Sequence, residues 1–407
     1  MGKAFQAAVN NGGVWAFSVN EVAYSAVCMN YGDDGFSSAE EAQTQVVCRT
    51  AGIIGGLSVN VMANAFTLAT LTIISRKNGA NGNQSVTVLA GTTGIFSDLV
   101  NTDSLASGDT YNVQITASAL GLNTATLKSI SMYFKATEAH SIQYAATNDG
   151  SPGVTASTQH FCCISGDLGG GTDENAEKQE FDVPGTARRL AAGVSQNTRS
   201  TSTVITLRIN GANRNQSITI PAGTTGFFED TTHSDAIAIG DDVCFGILTG
   251  SGGGTIGPRA VTFVFDSPTT NASNAFAATF GGEAKNAVQT LNSCIAGMIS
   301  NTSASEAQVQ QNPNFAFKCS NLKCYVTSNP FTASSTLKIR KNGSDGNQSV
   351  TIPAGTTGLF KDTTNQDSFS STDKINAAWS GGTSGSGGTM RWLGLLINSG
   401  VEYTQDV

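Results

Sequence analysis

Charge is scarce in this sequence. Lys, Arg, Asp and Glu together make up 13% of its 407 residues, against about 25% in an ordinary soluble domain. The net charge is -8 and no basic cluster occurs, so the electrostatic footprint of a nucleic-acid partner is missing. Long apolar runs are missing too; no stretch approaches the ~20 residues of a membrane span, and no membrane partner is expected. The opening segment MGKAFQAAVNNGG has no charged-then-apolar secretory pattern, and Gln6 stands where a myristoylation box needs Ser or Thr. The expectation is a chain made in a cytosol and held there until lysis or assembly.

Chemistry-bearing residues are few. There are three histidines, His140, His160 and His233. His233 lies between Asp230 and Asp235, but its counterparts in the repeat described below are Asn101 and Asn365, so the position reads as a polar loop site. No nucleophile motif of the G-x-S-x-G kind accompanies it. The Gly-rich stretches lack the Gly-Lys-Ser/Thr ending of a phosphate cradle. No catalytic residue and no cofactor are therefore predicted. Eight cysteines are present, yet only Cys162 and Cys294 share a repeat position, which favours reduced, buried thiols over a disulfide framework. The spacing in Cys319-Ser-Asn-Leu-Lys-Cys324 is too long for the usual metal pair, and no second pair completes a site.

What the sequence does contain is repetition. NGANGNQSVTVLAGTTGIFSD, from Asn78, recurs as NGANRNQSITIPAGTTGFFED from Asn210 and as NGSDGNQSVTIPAGTTGLFKD from Asn342, in steps of 132 residues. Of the 21 positions, 13 are identical in all three copies and no gap is needed. A period this long is the size of a whole domain, not of a solenoid unit. Three tandem domains are expected, over 1–137, 138–268 and 269–407, opened by Ala-Ala-Val at Ala7 and Ala-Ala-Thr at Ala145 and Ala277.

Within each copy, Asn-Gly is the strongest short hairpin-turn signal because both residues tolerate positive φ. The alternation that follows predicts Val86 and Val88, Ile218 and Ile220, and Val350 and Ile352 facing inward. Ala-Gly-Thr-Thr-Gly reads as a second turn, with Phe96, Phe228 and Phe360 as core anchors. Further strands are expected at Tyr111, Val113 and Ile115, at Val243, Phe245 and Ile247, and over the closing runs Ile130, Met132, Phe134; Val261, Phe263, Phe265; and Leu393, Leu395, Ile397. The one helical candidate is SSAEEAQTQVV, from Ser37. Eight or so short strands per period predict an all-β chain of three antiparallel β-sandwiches of jelly-roll type.

Two polar features repeat with the sandwich. The Asn-Gln-Ser triplets at Asn83, Asn215 and Asn347 match a glycosylation sequon, idle without a secretory signal; their amides are expected to bond the hairpin turn. The acidic pairs Asp98 and Asp103, Asp230 and Asp235, and Asp362 and Asp367 are weak calcium candidates, since Ca²⁺ takes six to eight oxygen ligands. Capping of the turn backbone by the same carboxylates is the favoured alternative, because the loops lack that ligand density. Trp15, Trp379 and Trp392 do not share a repeat position, which weighs against a repeated sugar platform.

The hairpin-and-turn pattern, the Gly-Asp before an alternating strand and the Gly-rich loop before the last strand together resemble β-sandwich modules of tailed-bacteriophage virion proteins. The resemblance covers residues 70–136, 202–267 and 334–399 and carries over no catalytic residue. It implies a non-enzymatic virion protein, first of all a capsid decoration (cement) protein bound to the major capsid protein or other virion proteins and capable of self-association. The alternatives are a tail or fibre component, or an adhesin that binds host glycans.

Overall fold

A computed structural model of the chain describes residues 45–118, 124–137, 141–147, 159–168, 170–267, 272–285, 304–313, 315–383 and 387–398, with shorter stretches between residues 5 and 38 and at 154, 289–293 and 295. It is all-β, built of antiparallel sheets. Among the described residues no helix is long and apolar enough to cross a membrane.

The repeat appears as a recurring set of eight strands. In the second copy these are Ser141–Thr147, Gln159–Cys162, Gly185–Asn197, Thr203–Ile209, Ala212–Ile220, a sixth strand split into Gly226–Glu229 and Ser234–Ile237, Asp242–Thr249 and Ile256–Asp266. Numbered in order, strands one, eight, three and six form one sheet, and strands two, seven, four and five the other. This is the connectivity of a jelly roll, in which successive strands cross between two facing sheets. The third copy repeats it, from Ala272–Lys285 to Gly388–Asn398. The first repeats it with Gly12–Phe17 beside the eighth strand, Thr124–Ala136.

Alternation explains why these strands pack. Val86 and Val88, Ile218 and Ile220, and Val350 and Ile352 are buried, as are the inward positions of each seventh and eighth strand. Three apolar clusters result, one centred between each pair of sheets, and that of the second unit also takes in Phe276, Ala278 and Trp392 of the third. The Asn-Gly turns adopt the geometry their sequence requires: φ is 50° and 77° at Asn78 and Gly79, 53° and 80° at Asn210 and Gly211, and 50° and 84° at Asn342 and Gly343. A two-residue turn with both φ positive, the type I′ turn, matches the twist of the flanking strands.

Some expectations are corrected. Phe96, Phe228 and Phe360 are half-buried and lie at the margin of their clusters. The helical candidate from Ser37 contains short strands at Ser37–Ser38 and Val46–Val47, and residues 39–44 lie outside the described residues. The α-helical turn is instead at Glu174–Glu177, in the second copy. Ala7 sits on an extra strand, Phe5–Val9, that pairs with Gly12–Phe17 on one side and, through Ala7 and Ala275, with the first strand of the third unit on the other. One sheet of the first unit is thereby continuous with one sheet of the third.

Candidate functional site

The acidic pairs are the natural starting point. Asp98, Asp230 and Asp362 each sit at a bulge in the sixth strand region, where one carboxylate oxygen accepts the amide of Ser85, Ser217 or Ser349 at 2.9, 3.0 and 2.8 Å. The other accepts the amides two and three residues on, Val100 and Asn101, Thr232 and His233, or Thr364 and Asn365, at 3.0–3.1 Å. Burial alone would raise these carboxyl pKa values, but the converging N–H donors outweigh it; Asp362 is held at about 2 and Asp98 and Asp230 also lie below the ordinary range. The donors present their positive ends to the oxygens from the directions a cation would need.

Asp103, Asp235 and Asp367 reach across to the fifth strand. Their Oδ1 atoms accept the amides of Asn83, Asn215 and Asn347 at 2.6, 2.9 and 2.7 Å. Each also faces the side chain of Gln84, Gln216 or Gln348, at 3.1, 3.4 and 3.5 Å. The two aspartates of each pair thus bond different segments of the fifth strand. Among the described residues no group of three or more His, Cys, Asp or Glu side chains is placed to hold a metal ion.

The Asn-Gln-Ser amides behave differently from the sequence expectation. Gln84, Gln216 and Gln348 are fully buried, and their Oε1 atoms accept the amides of Leu57, Leu190 and Leu322 on the third strand at 3.1, 2.9 and 3.1 Å. They bridge the two sheets and do not bond the hairpin turn. The turn asparagines Asn78, Asn210 and Asn342 instead bond Asp109, Asp241 and Asp373 at 2.7, 2.6 and 2.6 Å. A further repeated residue is not marked in the repeated sequence window: Asn64, Asn197 and Asn329 each donate to the carbonyl of the residue before the Ala-Gly-Thr-Thr-Gly turn and to that of its first threonine. Its signal was an Asn two residues before Phe66, Arg199 and Phe331, outside the best-matched window.

The other singled-out residues are structural as well. His233 Nδ1 lies 2.9 Å from Asp230 Oδ2, in the place of the asparagine amides of the other copies. Cys48, Cys162, Cys163, Cys244, Cys319 and Cys324 are buried and unpaired with one another; burial pushes the Cys48 and Cys319 thiols up to about 12. Trp379 and Trp392 are 4% and 1% exposed. The Gly-rich loop at Thr249 is organised by buried Arg199, whose guanidinium donates to the Gly254 carbonyl at 2.8 Å and to that of Gly250.

The surfaces that differ among the copies are the seams between units and one outer edge. Each unit touches both others. Arg49 of the first unit pairs with Glu229 of the second at 2.7 Å; Lys323 of the third pairs with Asp182 of the second at 2.6 Å; Asn60 of the first donates to the Ala307 carbonyl of the third at 3.1 Å. A buried ion pair between Arg391 and Glu177 adds to the seam of the second and third units. Near the centre, Tyr144 of the second unit donates to the Asn274 carbonyl of the third at 3.1 Å, and Phe5–Val9 lies against Ser141–Thr147.

The outer edge that stands apart belongs to the first unit. Leu68, Leu89, Leu99 and Val100 are 91%, 60%, 64% and 88% exposed. Where the first unit has Leu89, Leu99 and Val100, the second has Pro221, Thr231 and Thr232 and the third Pro353, Thr363 and Thr364. Asn64 ties Leu89 to the loop that carries Leu68, and Asp98 ties the Leu99 loop to Ser85. Leu89 follows Ser85 by four residues, about 13 Å at the usual rise, so Leu89 and the Leu99 loop border the same strand, Ala80–Val88. The second unit exposes Phe227, Ile239 and Leu248, at 56%, 68% and 48%; exposed apolar residues gathered on one surface mark a contact site.

The fold and seams define a tandem jelly-roll protein whose three sandwiches close on one another. No protein-family model matches the chain, and no curated protein matches it. Among solved structures it is similar to one described as "The Triple Jelly Roll Fold and Turret Assembly in an Archaeal Virus", at 11% identity and a TM-score of 0.18, over 93% of this chain and 91% of that one.

Proposed function

We propose that the chain is a non-enzymatic structural protein of a virus particle, and within that class a decoration (cement) protein of a tailed-bacteriophage head. The observation that carries this reading is the contrast between a closed block of three jelly rolls and the apolar side chains that the first unit exposes at Leu68, Leu89, Leu99 and Val100. A block of this kind docks by one margin and leaves its Ser/Thr-rich remainder to solvent. Its partner is the major capsid protein, and its action is mass action: a protein that binds only the assembled lattice favours that lattice over its parts. Burial of Trp379 and Trp392 removes two of the three tryptophans as stacking platforms for a sugar, which sets the adhesin reading behind.

The test is the copy number of the chain per purified particle, by quantitative mass spectrometry referenced to the major capsid protein. A number that scales with the lattice supports decoration. A handful of copies per particle moves the chain to a tail or fibre, and absence from particles overturns the virion reading.

A further inference from the structure

We infer that the three seams form a pairing code that fixes which unit sits beside which, and that this code confines the units of one chain to a closed, ordered ring. Each unit offers a leading face, made by its third and sixth strands, and a trailing face, made by the segment that runs into its third strand. The leading face of the second unit meets the trailing face of the first, that of the third meets the second, and that of the first meets the third. Such head-to-tail contacts propagate without limit unless the geometry closes.

The positions in contact are equivalent, and their charges are not. Ser97, Glu229 and Lys361 each immediately precede the conserved bulge aspartate of the sixth strand. Ser58, Ala191 and Lys323 each follow the leucine whose amide is held by the buried glutamine. Arg49 and Asp182 follow Cys48 and Phe181, whose amides bond the carbonyls of the matching residues Asp109 and Asp241.

At the seam of units one and two, acidic Glu229 leads and basic Arg49 trails, 2.7 Å apart, with Arg189 bonding Glu229 at 2.7 Å and Ser107 at 2.7 Å. At the seam of units two and three the signs are reversed. Basic Lys323 and Lys361 lead; acidic Asp182 and Glu180 trail, with Lys323 2.6 Å from Asp182 and Lys361 bonded to Glu180. Asn321 adds a bond to Asp182 at 3.1 Å. At the seam of units three and one the leading face is neutral: Ser58 and Ser97 bond each other at 2.6 Å, and Asn60 reaches main-chain carbonyls of residues 307, 308 and 310.

Three of the wrong pairings carry a visible penalty. The third unit's leading face against the first unit's trailing face sets Lys323 and Lys361 on Arg49. Two copies of the second unit would set Glu229 on Glu180 and Asp182. The first unit's leading face against the second's trailing face leaves Asp182 facing serines. Like charges and stranded buried charges are the repulsive elements by which specific interfaces reject near-identical partners.

The test uses the full chain with Arg49→Asp, Glu229→Lys, both together, and the neutral pair Arg49→Gln with Glu229→Gln as a control. Each charge reversal alone lowers Tm, and the double reversal recovers part of the loss, since Arg189, which bonds Glu229, then faces a like charge. That double variant gives its first two units the signs of the second and third, so the carboxylate introduced by Arg49→Asp now accepts a third unit from another chain. After denaturation and refolding over a concentration series, native mass spectrometry shows an about tenfold larger share of multi-chain species than for the wild type, with the neutral pair between the two. Additive Tm losses in the double variant overturn the proposal. So does recovery of Tm with a chain-number distribution identical to the wild type in both double variants.

Discussion

The side-chain carbonyl of Gln216 accepts the Leu190 amide at 2.9 Å, joining the two sheets of the second sandwich through a side chain with no solvent exposure. Gln84 with Leu57 and Gln348 with Leu322 repeat the bridge. A buried N–H deprived of its acceptor costs roughly 1–3 kcal/mol. Gln216→Ala is therefore expected to destabilise the protein by about that amount in urea unfolding, with Gln84→Ala and Gln348→Ala giving similar losses. A change near zero at all three would show that the bridges contribute nothing.

The bulge carboxylates set an acid limit. Asp98, Asp230 and Asp362 have folded-state pKa values below their unfolded ones. Their contribution is fully present above the unfolded pKa, about 3.9, and is lost as pH falls through the folded value, about 2 for Asp362. Thermal scans from pH 7 downward should find Tm insensitive to these groups until about pH 5 and falling below pH 4. In Asp362→Asn that acid-limb slope is reduced; an unchanged slope would count against the assignment.

Lys323 is 1% exposed and relies on Asp182. Burial lowers the Lys323 pKa, while Asp182 and Glu180 oppose the shift. Asp182→Ala strands this cation and is expected to cost about 3–5 kcal/mol, whereas replacing both partners by apolar residues costs far less. Lys361→Ala, which removes a more exposed partner of Glu180, is expected to cost about 1 kcal/mol or less. Equal losses from Asp182→Ala and Lys361→Ala in denaturant titrations would refute this ranking.

Thiol labelling offers a separate check on the cores. Six cysteines among the described residues are buried, and for Cys48, Cys163, Cys244, Cys319 and Cys324 burial holds the thiol above its ordinary range. Only thiolates react. Intact-mass analysis after iodoacetamide treatment at pH 7 should show at most two adducts on the folded protein and eight in denaturant, since the eight cysteines less the six buried ones leave two. Rapid labelling beyond two in the folded state would contradict the packing.

Much of each sandwich was legible in the sequence because its determinants are local. Asn78 and Gly79 specify a turn wherever they stand, and the alternation through Val86 and Val88 specifies a face. Gln84 was misread because its destination, the Leu57 amide, lies on the opposite sheet, and nothing adjacent in sequence marks it. The apolarity of Phe96 points to a core residue, yet it falls where the sixth strand runs along the cluster margin. The seams were invisible for a further reason: Arg49, Asp182, Glu229 and Lys361 are the positions at which the copies disagree, so a search for what repeats passes over them. The apolar margin at Leu99 and Val100 also lies where the copies diverge.

The strand Phe5–Val9 joins the first strand of the third unit through Ala7 and Ala275. During synthesis some 270 residues separate the emergence of these two strands, so the sheet that spans the first and third units cannot be completed until Ala272–Lys285 has emerged. Contacts of such long sequence separation are slow to form and leave their edges unpaired meanwhile. The individual sandwiches can condense in order as they emerge, and the joining of Phe5–Val9 to the third unit follows them. A nascent chain halted before residue 272 would therefore present an unpaired Phe5–Val9 edge, a handle for a chaperone or for a second chain.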